Sequence, residues 1–369
     1  MLPTQNTGIY FHIPFCRSKC PYCDFYSLRR AELAEPYTDA VKNELLTLSR
    51  LSPFVSESVR AETVDSVYFG GGTPSVLGAK RIADILSTAR DGFGISENAE
   101  LTVEVNPSLD DPADFFAELK AAGVNRVSMG LQSAVDCERR ALGRIASAKD
   151  AEFAVKSAKK AGITDISLDV MLGIPMQTEK SLLYTLDFAL SLGVTHMSCY
   201  MLQLEEGTVF YDRRDKLALP DEDAVADMYL LMCSHLRQNG MRRYEISNFC
   251  FGDNQSRHNT KYWTLAPYIG IGTSAHSYYG GKRFYFDRDI SSFINGKKAV
   301  FDCLGGDGEE KLMLALRTDA GVASEELPPD KLKTAHEFEK AGLLQNINGR
   351  LSLTDKGCLV SNSVISELI

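Results

Sequence analysis

No stretch of the sequence approaches the ~18 consecutive apolar residues that a membrane-spanning helix needs, and Met1 to Tyr10 carries no basic segment followed by an apolar one. Both absences argue against export or insertion and place the chain in the cytoplasm. Positive charge is also in short supply. Forty Lys plus Arg face 49 Asp plus Glu, a net charge of −9, which is the wrong sign for gripping a phosphate backbone. No nucleic-acid partner is expected. Neither a repeat of fixed period nor a low-complexity tract occurs. Nine cysteines are an odd number, and three of them, Cys16, Cys20 and Cys23, crowd together while the rest are scattered. That distribution speaks against a disulfide framework and for reduced thiols with one special cluster.

What is present is a chain of 369 residues, 44% hydrophobic, long enough for two domains or for one α/β barrel-like unit of ~200 to 250 residues with a small appendage. Short β-rich runs recur at Gly8 to Pro14, Asp65 to Gly71, Glu100 to Pro107, Arg126 to Gln132, Ile166 to Gly173 and Thr195 to Leu202. Between them, segments such as Pro36 to Leu51, Asp111 to Gly123, Lys149 to Gly162 and Glu179 to Gly193 carry apolar residues at helical spacing, and several end at Gly. A (β/α) repeat of this kind implies right-handed crossovers and a parallel sheet, either doubly wound or an incomplete barrel. In both, a ligand sits at the carboxyl ends of the strands. Beyond residue 240 the pattern changes. Arg243 to Phe249 and Tyr278 to Phe286 read as strands with loop chemistry between them. From Glu309 a helix, the segment Val322 to Leu327, a second helix and the strand-like pair Leu343 to Gln345 and Leu351 to Leu353 predict a small α+β domain. The expected division is a core at 1–240, a connecting segment at 241–305 and a C-terminal domain at 306–369.

Cys16, Cys20 and Cys23 directly follow the first predicted strand, so three soft thiolate ligands share one loop at the ligand end of the sheet. A closed structural zinc site takes four ligands. A [4Fe-4S] cluster held by three cysteines leaves one iron open to a chelating cofactor. A zinc loop completed by a distant His or Cys, or unliganded core thiols, are the alternatives at this point. Val67 to Gly72 ends the second strand in consecutive glycines, which let backbone approach a ligand closely. A run of this type is also simply a tight turn. Glu104 and Asp169 stand in apolar strands, where a carboxylate is costly unless paired, and Arg144 is a partner for either.

The stretch Tyr10 to Tyr26, with Cys16-x3-Cys20-Pro-Tyr-Cys23, resembles the radical S-adenosylmethionine (SAM) superfamily, specifically its coproporphyrinogen oxidase-like branch. The resemblance implies that the amino and carboxyl groups of SAM chelate the open iron, and that the contacts to SAM come from Tyr10, Gly71, Gly72, Thr73, Glu104, Gln132, Arg144 and Asp169. Chemically these suit a ribose diol, a methionyl carboxylate and an ammonium. Tyr22, between two of the cysteines, offers a face to adenine. The fold it implies is an incomplete (β/α)6 barrel with a small C-terminal α+β, winged-helix-like domain.

Two departures separate the chain from the oxygen-independent coproporphyrinogen III oxidases of that branch. Phe25 stands where they carry a fourth cysteine, and Cys16 lies almost at the N-terminus, without their long extension. The segment His258-Asn-Thr-Lys-Tyr262-Trp263 resembles instead the H-N-x-x-Y-W motif of the HemW heme-chaperone family. Physically, His258 offers an imidazole nitrogen to heme iron, and Tyr262 and Trp263, the single Trp of the chain, offer flat faces to a macrocycle. The resemblance therefore implies a heme-binding chaperone with a [4Fe-4S] cluster and SAM. Its partners are heme, heme-acceptor proteins and an electron donor, and both a transient membrane-protein contact and a homodimer are compatible with it. Coproporphyrinogen decarboxylation is the alternative activity.

Overall fold

The computed structural model describes residues 6–51 and 63–369. Its first six strands are β1 (Thr7–Ile13), β2 (Val64–Gly71), β3 (Ile95–Val105), β4 (Arg126–Gln132), β5 (Asp165–Leu172) and β6 (His196–Met201). They lie side by side in chain order, and every pair is parallel. Six helices return the chain: α1 (Ala34–Leu51), α2 (Ala79–Gly92), α3 (Pro112–Ala121), α4 (Asp136–Ala141), α5 (Ala148–Lys160) and α6 (Glu179–Ser191). The predicted β/α repeat is thus present strand for strand.

Side chains alternate faces along a strand, and here the alternation separates two chemistries. Ile9, Phe11, Val67, Phe69, Val103 and Leu168 point outward into one hydrophobic core shared with the helices. Their neighbours point the other way. Tyr68, Glu104, Ser128, Ser167, Asp169 and Ser198 line a small polar cavity of about 40 Å³ on the inner face. Strands buried on both sides usually read as unbroken apolar runs; a polar inner face marks the side where ligands are handled.

Residues 241–305 do more than connect, because they add strands to both ends of the sheet. On one flank, β7 (Arg242–Arg243) and β8 (Asn248–Cys250) follow the helix α7 (Glu222–Gln238), and β8 runs antiparallel to β6. The single strand predicted over Arg243 to Phe249 is therefore two strands separated by a turn, in which the Tyr244 N–H donates to the Asn248 carbonyl at 3.0 Å. On the other flank, β9 (Tyr268–Ile271) pairs parallel to β1 and is followed by β10 (His276–Tyr279), β11 (Lys282–Tyr285) and β12 (Val300–Leu304). The strand predicted over Tyr278 to Phe286 is likewise a hairpin. Gly280 and Gly281 both have positive φ, 58° and 72°, the backbone that a two-residue turn requires. The loop expected between these strands contains a helix, α8 (Arg257–Thr264). The full order is β12-β11-β10-β9-β1-β2-β3-β4-β5-β6-β8-β7. Its two end strands are not paired with each other among the described residues, as an incomplete barrel requires.

After the helix α9 (Gly308–Ala315), strands β13 (Val322–Ala323), β14 (Leu344–Ile347) and β15 (Arg350–Leu353) form a separate antiparallel sheet in the order β13-β15-β14. This is the predicted small α+β unit. Arg237 and Arg243 fasten it to the core through Asp355, at 2.6 and 3.2 Å.

Candidate functional site

Beneath the inner face, the segment from Tyr244 to Tyr262 closes the amino-terminal end of the strands. The Tyr244 hydroxyl meets His196 Nε2 at 2.8 Å, and Arg126 Nη1 donates to the Asn254 carbonyl at 3.3 Å. Ser256 caps α8 by accepting from the Asn259 N–H at 3.3 Å. The Glu100 carboxylate accepts from the N–H groups of Arg257 and His258 at 2.8 and 3.0 Å, a favourable place for a negative charge because a helix N-terminus presents unpaired donors. These contacts join β3, β4 and β6 to one short helix.

That placement changes the reading of the H-N-x-x-Y-W motif. His258 is fully buried. Its Nδ1 pairs with Ser66 Oγ and its Nε2 with the Tyr262 hydroxyl, both at 3.0 Å, and its ring stacks near Tyr68 at 5.3 Å. Burial, reinforced by the neighbouring Lys261 charge, lowers its pKa to about 3. The imidazole is neutral, as an iron ligand must be, yet both nitrogens are occupied and none is presented to a ligand in this arrangement. Trp263 is half-buried. Tyr262 alone of the three lines the large cavity above.

At the carboxyl ends of the strands, the cysteine loop is pinned by backbone. The Cys16 N–H donates to Leu28, and the Leu28 N–H to Pro14. The N–H groups of Gly72 and Thr73 donate to the carbonyls of Ile13 and Phe15 at 2.9 and 2.7 Å. A Cβ on Gly72 would lie 2.8 and 2.9 Å from those same carbonyl oxygens. Backbone cannot yield there as a flexible side chain does, so Gly72→Ala is expected to push the loop away from β2. The check is iron retention after reconstitution: a marked loss is predicted for Gly72→Ala, and iron equal to the unmodified protein contradicts the close approach. Gly71, at φ 103°, makes room for the His12 ring, which a Cβ would approach to 2.5 Å.

His12 ties the loop to β1 from inside. Its Nε2 donates to the Tyr26 carbonyl at 3.0 Å, since a carbonyl only accepts, and its Nδ1 therefore accepts from the Tyr10 hydroxyl at 3.2 Å. Cys16, Cys20 and Cys23 are all free and partly exposed. Cys16 Sγ lies 3.3 Å from Thr73 Oγ1, and Arg144 Nη1 lies 3.8 Å from Cys20 Sγ. The Arg144 guanidinium also donates to the Gly130 carbonyl at 2.8 Å, next to Gln132, which sits at φ 65° at the irregular end of β4. Tyr22 packs against Phe210, ring centroids 6.1 Å apart. Among the described residues, no group of three or more His, Cys, Asp and Glu is gathered as the ligands of a single metal ion would be. Three accessible thiols on one loop, with no fourth beside them, suit a cluster that lends each iron to a different residue.

Glu104 and Asp169 face the same interior. The Tyr68 hydroxyl donates to Glu104 at 2.8 Å and the Gly71 N–H at 3.2 Å; Ser128 donates to Asp169 at 3.1 Å. Burial raises Glu104 from 4.5 to about 7 against the pull of the Tyr68 hydrogen bond, with the charge of Asp169 adding to the rise. Burial likewise raises Asp169 from 3.8 to about 6, opposed by its serine hydrogen bonds and by Arg144. A carboxyl whose folded pKa exceeds its unfolded one holds a proton that the unfolded chain has already released, so stability is greatest below pH 4.5 for this group and declines as pH rises to about 7. Glu104→Gln is expected to remove part of that decline, on the order of 2 kcal/mol between pH 5 and 8, in denaturant unfolding of the ligand-free protein. An unchanged pH dependence would contradict it.

Above these groups opens a cavity of about 580 Å³. Its lining comes from three parts of the chain: Tyr10, His12, Gly71 and Glu104 from β1 to β3, Phe25 and Tyr26 from the cysteine loop, and a second wall of later residues, Tyr262, Tyr268, His276, Tyr285, Phe286 and Arg288. Most of the second wall escapes a reading of sequence alone. The signal for Tyr68, which lines the smaller polar cavity, is its inward position beside Gly70 in the strand alternation, but Tyr268 depends on the four-residue strand β9, and Tyr285 and Arg288 on the unpredicted hairpin.

The comparisons with known proteins agree with this geometry. Residues 10–189 match the radical SAM superfamily. The heme chaperone HemW of Mycobacterium tuberculosis is 35% identical over 378 positions, covering 100% of this chain and 96% of that protein. That of Bacillus subtilis is 31% identical, covering 98% of each. Among solved structures, the Escherichia coli coproporphyrinogen III oxidase HemN superposes with a TM-score of 0.83 at 21% identity, covering 99% of this chain and 90% of that one, which shows a common fold. Full-length identity of this order to the HemW proteins, together with the radical SAM match, settles descent: the chain belongs to the radical SAM superfamily and, within it, to the HemW family.

Proposed function

We propose that this protein is a cytoplasmic heme chaperone on a radical SAM scaffold, which binds heme and hands it to acceptor proteins. In this reading Cys16, Cys20 and Cys23 would hold a [4Fe-4S] cluster, which would supply one-electron chemistry to a bound SAM. The chain's own residues then have defined tasks. Gly71, Gly72 and Thr73 present backbone to the SAM ammonium, Arg144 meets its carboxylate, and Glu104, Gln132 and Asp169 meet the ribose, with Tyr22 against adenine and Tyr10 holding His12 in one tautomer. His258 acts from below by fixing the Tyr262 hydroxyl at the cavity wall.

The observation that carries the reading is the aromatic cavity beside the cysteine loop, with Phe25 at its mouth in the place where the oxidases carry a further thiol. A ring of Tyr and Phe faces accepts a large flat macrocycle. The HemW relatives, named as heme chaperones, support the same conclusion. Heme titration of anaerobically prepared protein tests it, followed by mixing with a heme-free acceptor. Stoichiometric uptake and transfer are expected; no uptake, or uptake without transfer, overturns the reading.

A further inference from the structure

Resting on the heme reading above, we propose that His276 is the side chain that meets the heme iron. The chain has six histidines, and the structure separates them by what their rings already do. His12 pairs with Tyr10 and Tyr26, His196 with Ser167 and Tyr244, and His258 with Ser66 and Tyr262. In each of these three, both nitrogens are engaged. His235 and His336 pair with Asp187 and Glu339 on the surface and line none of the cavity. His276 is different on both counts: its ring has no hydrogen bond or ion pair among the described residues, and it lines the cavity.

Its setting suits a ligand to a planar macrocycle. The ring is exposed and lies against Tyr285, the residue opposite it on β11, with centroids 5.9 Å apart and planes 29° from parallel. The strand that carries it is rigidly seated. Ser277 accepts from the Gly270 N–H at 2.9 Å, and the preceding loop is tied to β1 through the Tyr37 hydroxyl, which accepts from Thr273 N–H at 3.1 Å and donates to the His12 carbonyl at 2.6 Å. Partial desolvation by the surrounding wall lowers the imidazole pKa, against the pull of Asp302 and with the push of Arg283 and Arg288, which favours the neutral form that coordinates iron. Arg288, on the same wall, is exposed; its Nη2 reaches the cysteine loop, donating to the Asp24 carbonyl at 2.7 Å and lying 3.7 Å from the Asp24 carboxylate, which leaves the Nη1 side of the guanidinium to a heme carboxylate. A neutral nitrogen, apolar ring faces and a guanidinium are the three elements that recognise iron, macrocycle and propionate.

The test is heme titration of the full-length protein, followed by absorption and electron paramagnetic resonance, with unmodified protein, His276→Ala, His276→Met and His258→Gln side by side. His276→Ala is expected to lose the histidine-ligated signature and to release heme at least roughly tenfold faster, and added imidazole is expected to restore the signature. His276→Met is expected to keep heme with an altered spectrum, which separates loss of a ligand from loss of the fold. His258→Gln, which releases the Tyr262 hydroxyl at the wall, is expected to loosen heme while keeping its histidine ligation, and loss of the histidine signature in this variant alone would overturn the assignment. Unchanged spectra and release in both His276 variants would overturn the assignment while leaving heme binding intact. Failure of the unmodified protein to take up heme would overturn the chaperone reading itself.

Discussion

On the proposed reading, replacing Cys16, Cys20 or Cys23 singly with Ser is expected to reduce iron from about four atoms per chain to below one, because each thiolate would anchor its own iron and an alcohol is a poor substitute for a soft ligand. The fold is expected to persist. The loop is held by backbone: Cys16 N–H to Leu28, Leu28 N–H to Pro14, and the Phe210 N–H to the Pro21 carbonyl, none of which involves a thiol. Cys137 and Cys303, both exposed and free, serve as controls whose replacement leaves iron unchanged. The measurement is iron and sulfide content after anaerobic reconstitution, beside circular dichroism. Full iron in any of the three loop variants would remove that cysteine from the cluster set.

A large loss of stability is expected for Arg126→Ala. Arg126 is 2% exposed, and its Nη1 lies 2.8 and 2.9 Å from the two oxygens of Asp165 while also donating to Asn254. The Asp165 side chain is 29% exposed, so removing Arg126 leaves a partly solvated carboxylate without its counter-charge and several buried contacts unmade, at a cost of about 2 kcal/mol, between the values for exposed and buried pairs. The Thr195 hydroxyl, 2.6 Å from Asp165, limits the damage. Asn254 lies just before the cap of α8, so the variant should also loosen Tyr262 and with it the cavity wall. Denaturant unfolding measures the first effect. A change below ~1 kcal/mol would mean that the pair is adequately replaced by water.

The six parallel strands, and the placement of the cysteine loop and the glycine run at their carboxyl ends, were legible in the sequence because both are local. Each strand carries its own two-residue alternation, each crossover its own helical period, and the cysteine loop and glycine run follow their strands directly. The far side of the site was not legible. Strands β7 to β11 have two to four residues each, too few to show a period. The setting of His258 is fixed by Ser66, 192 positions away, and by Glu100, 158 positions away. A histidine beside Tyr and Trp reads in sequence like a ligand in an aromatic pocket. Only the packing of α8 beneath β1 to β3 reveals that its nitrogens are already committed, and only the Gly280-Gly281 turn brings Tyr285 opposite His276.

The claim that this protein carries heme rather than making a porphyrin is tested most directly by anaerobic incubation of the cluster-loaded protein with SAM, a reductant and coproporphyrinogen III. The measured quantities are protoporphyrinogen and released CO₂. The account predicts neither. Formation of protoporphyrinogen with loss of two carboxyl groups would contradict it, and would make the protein a decarboxylase in which Phe25 replaces a dispensable thiol.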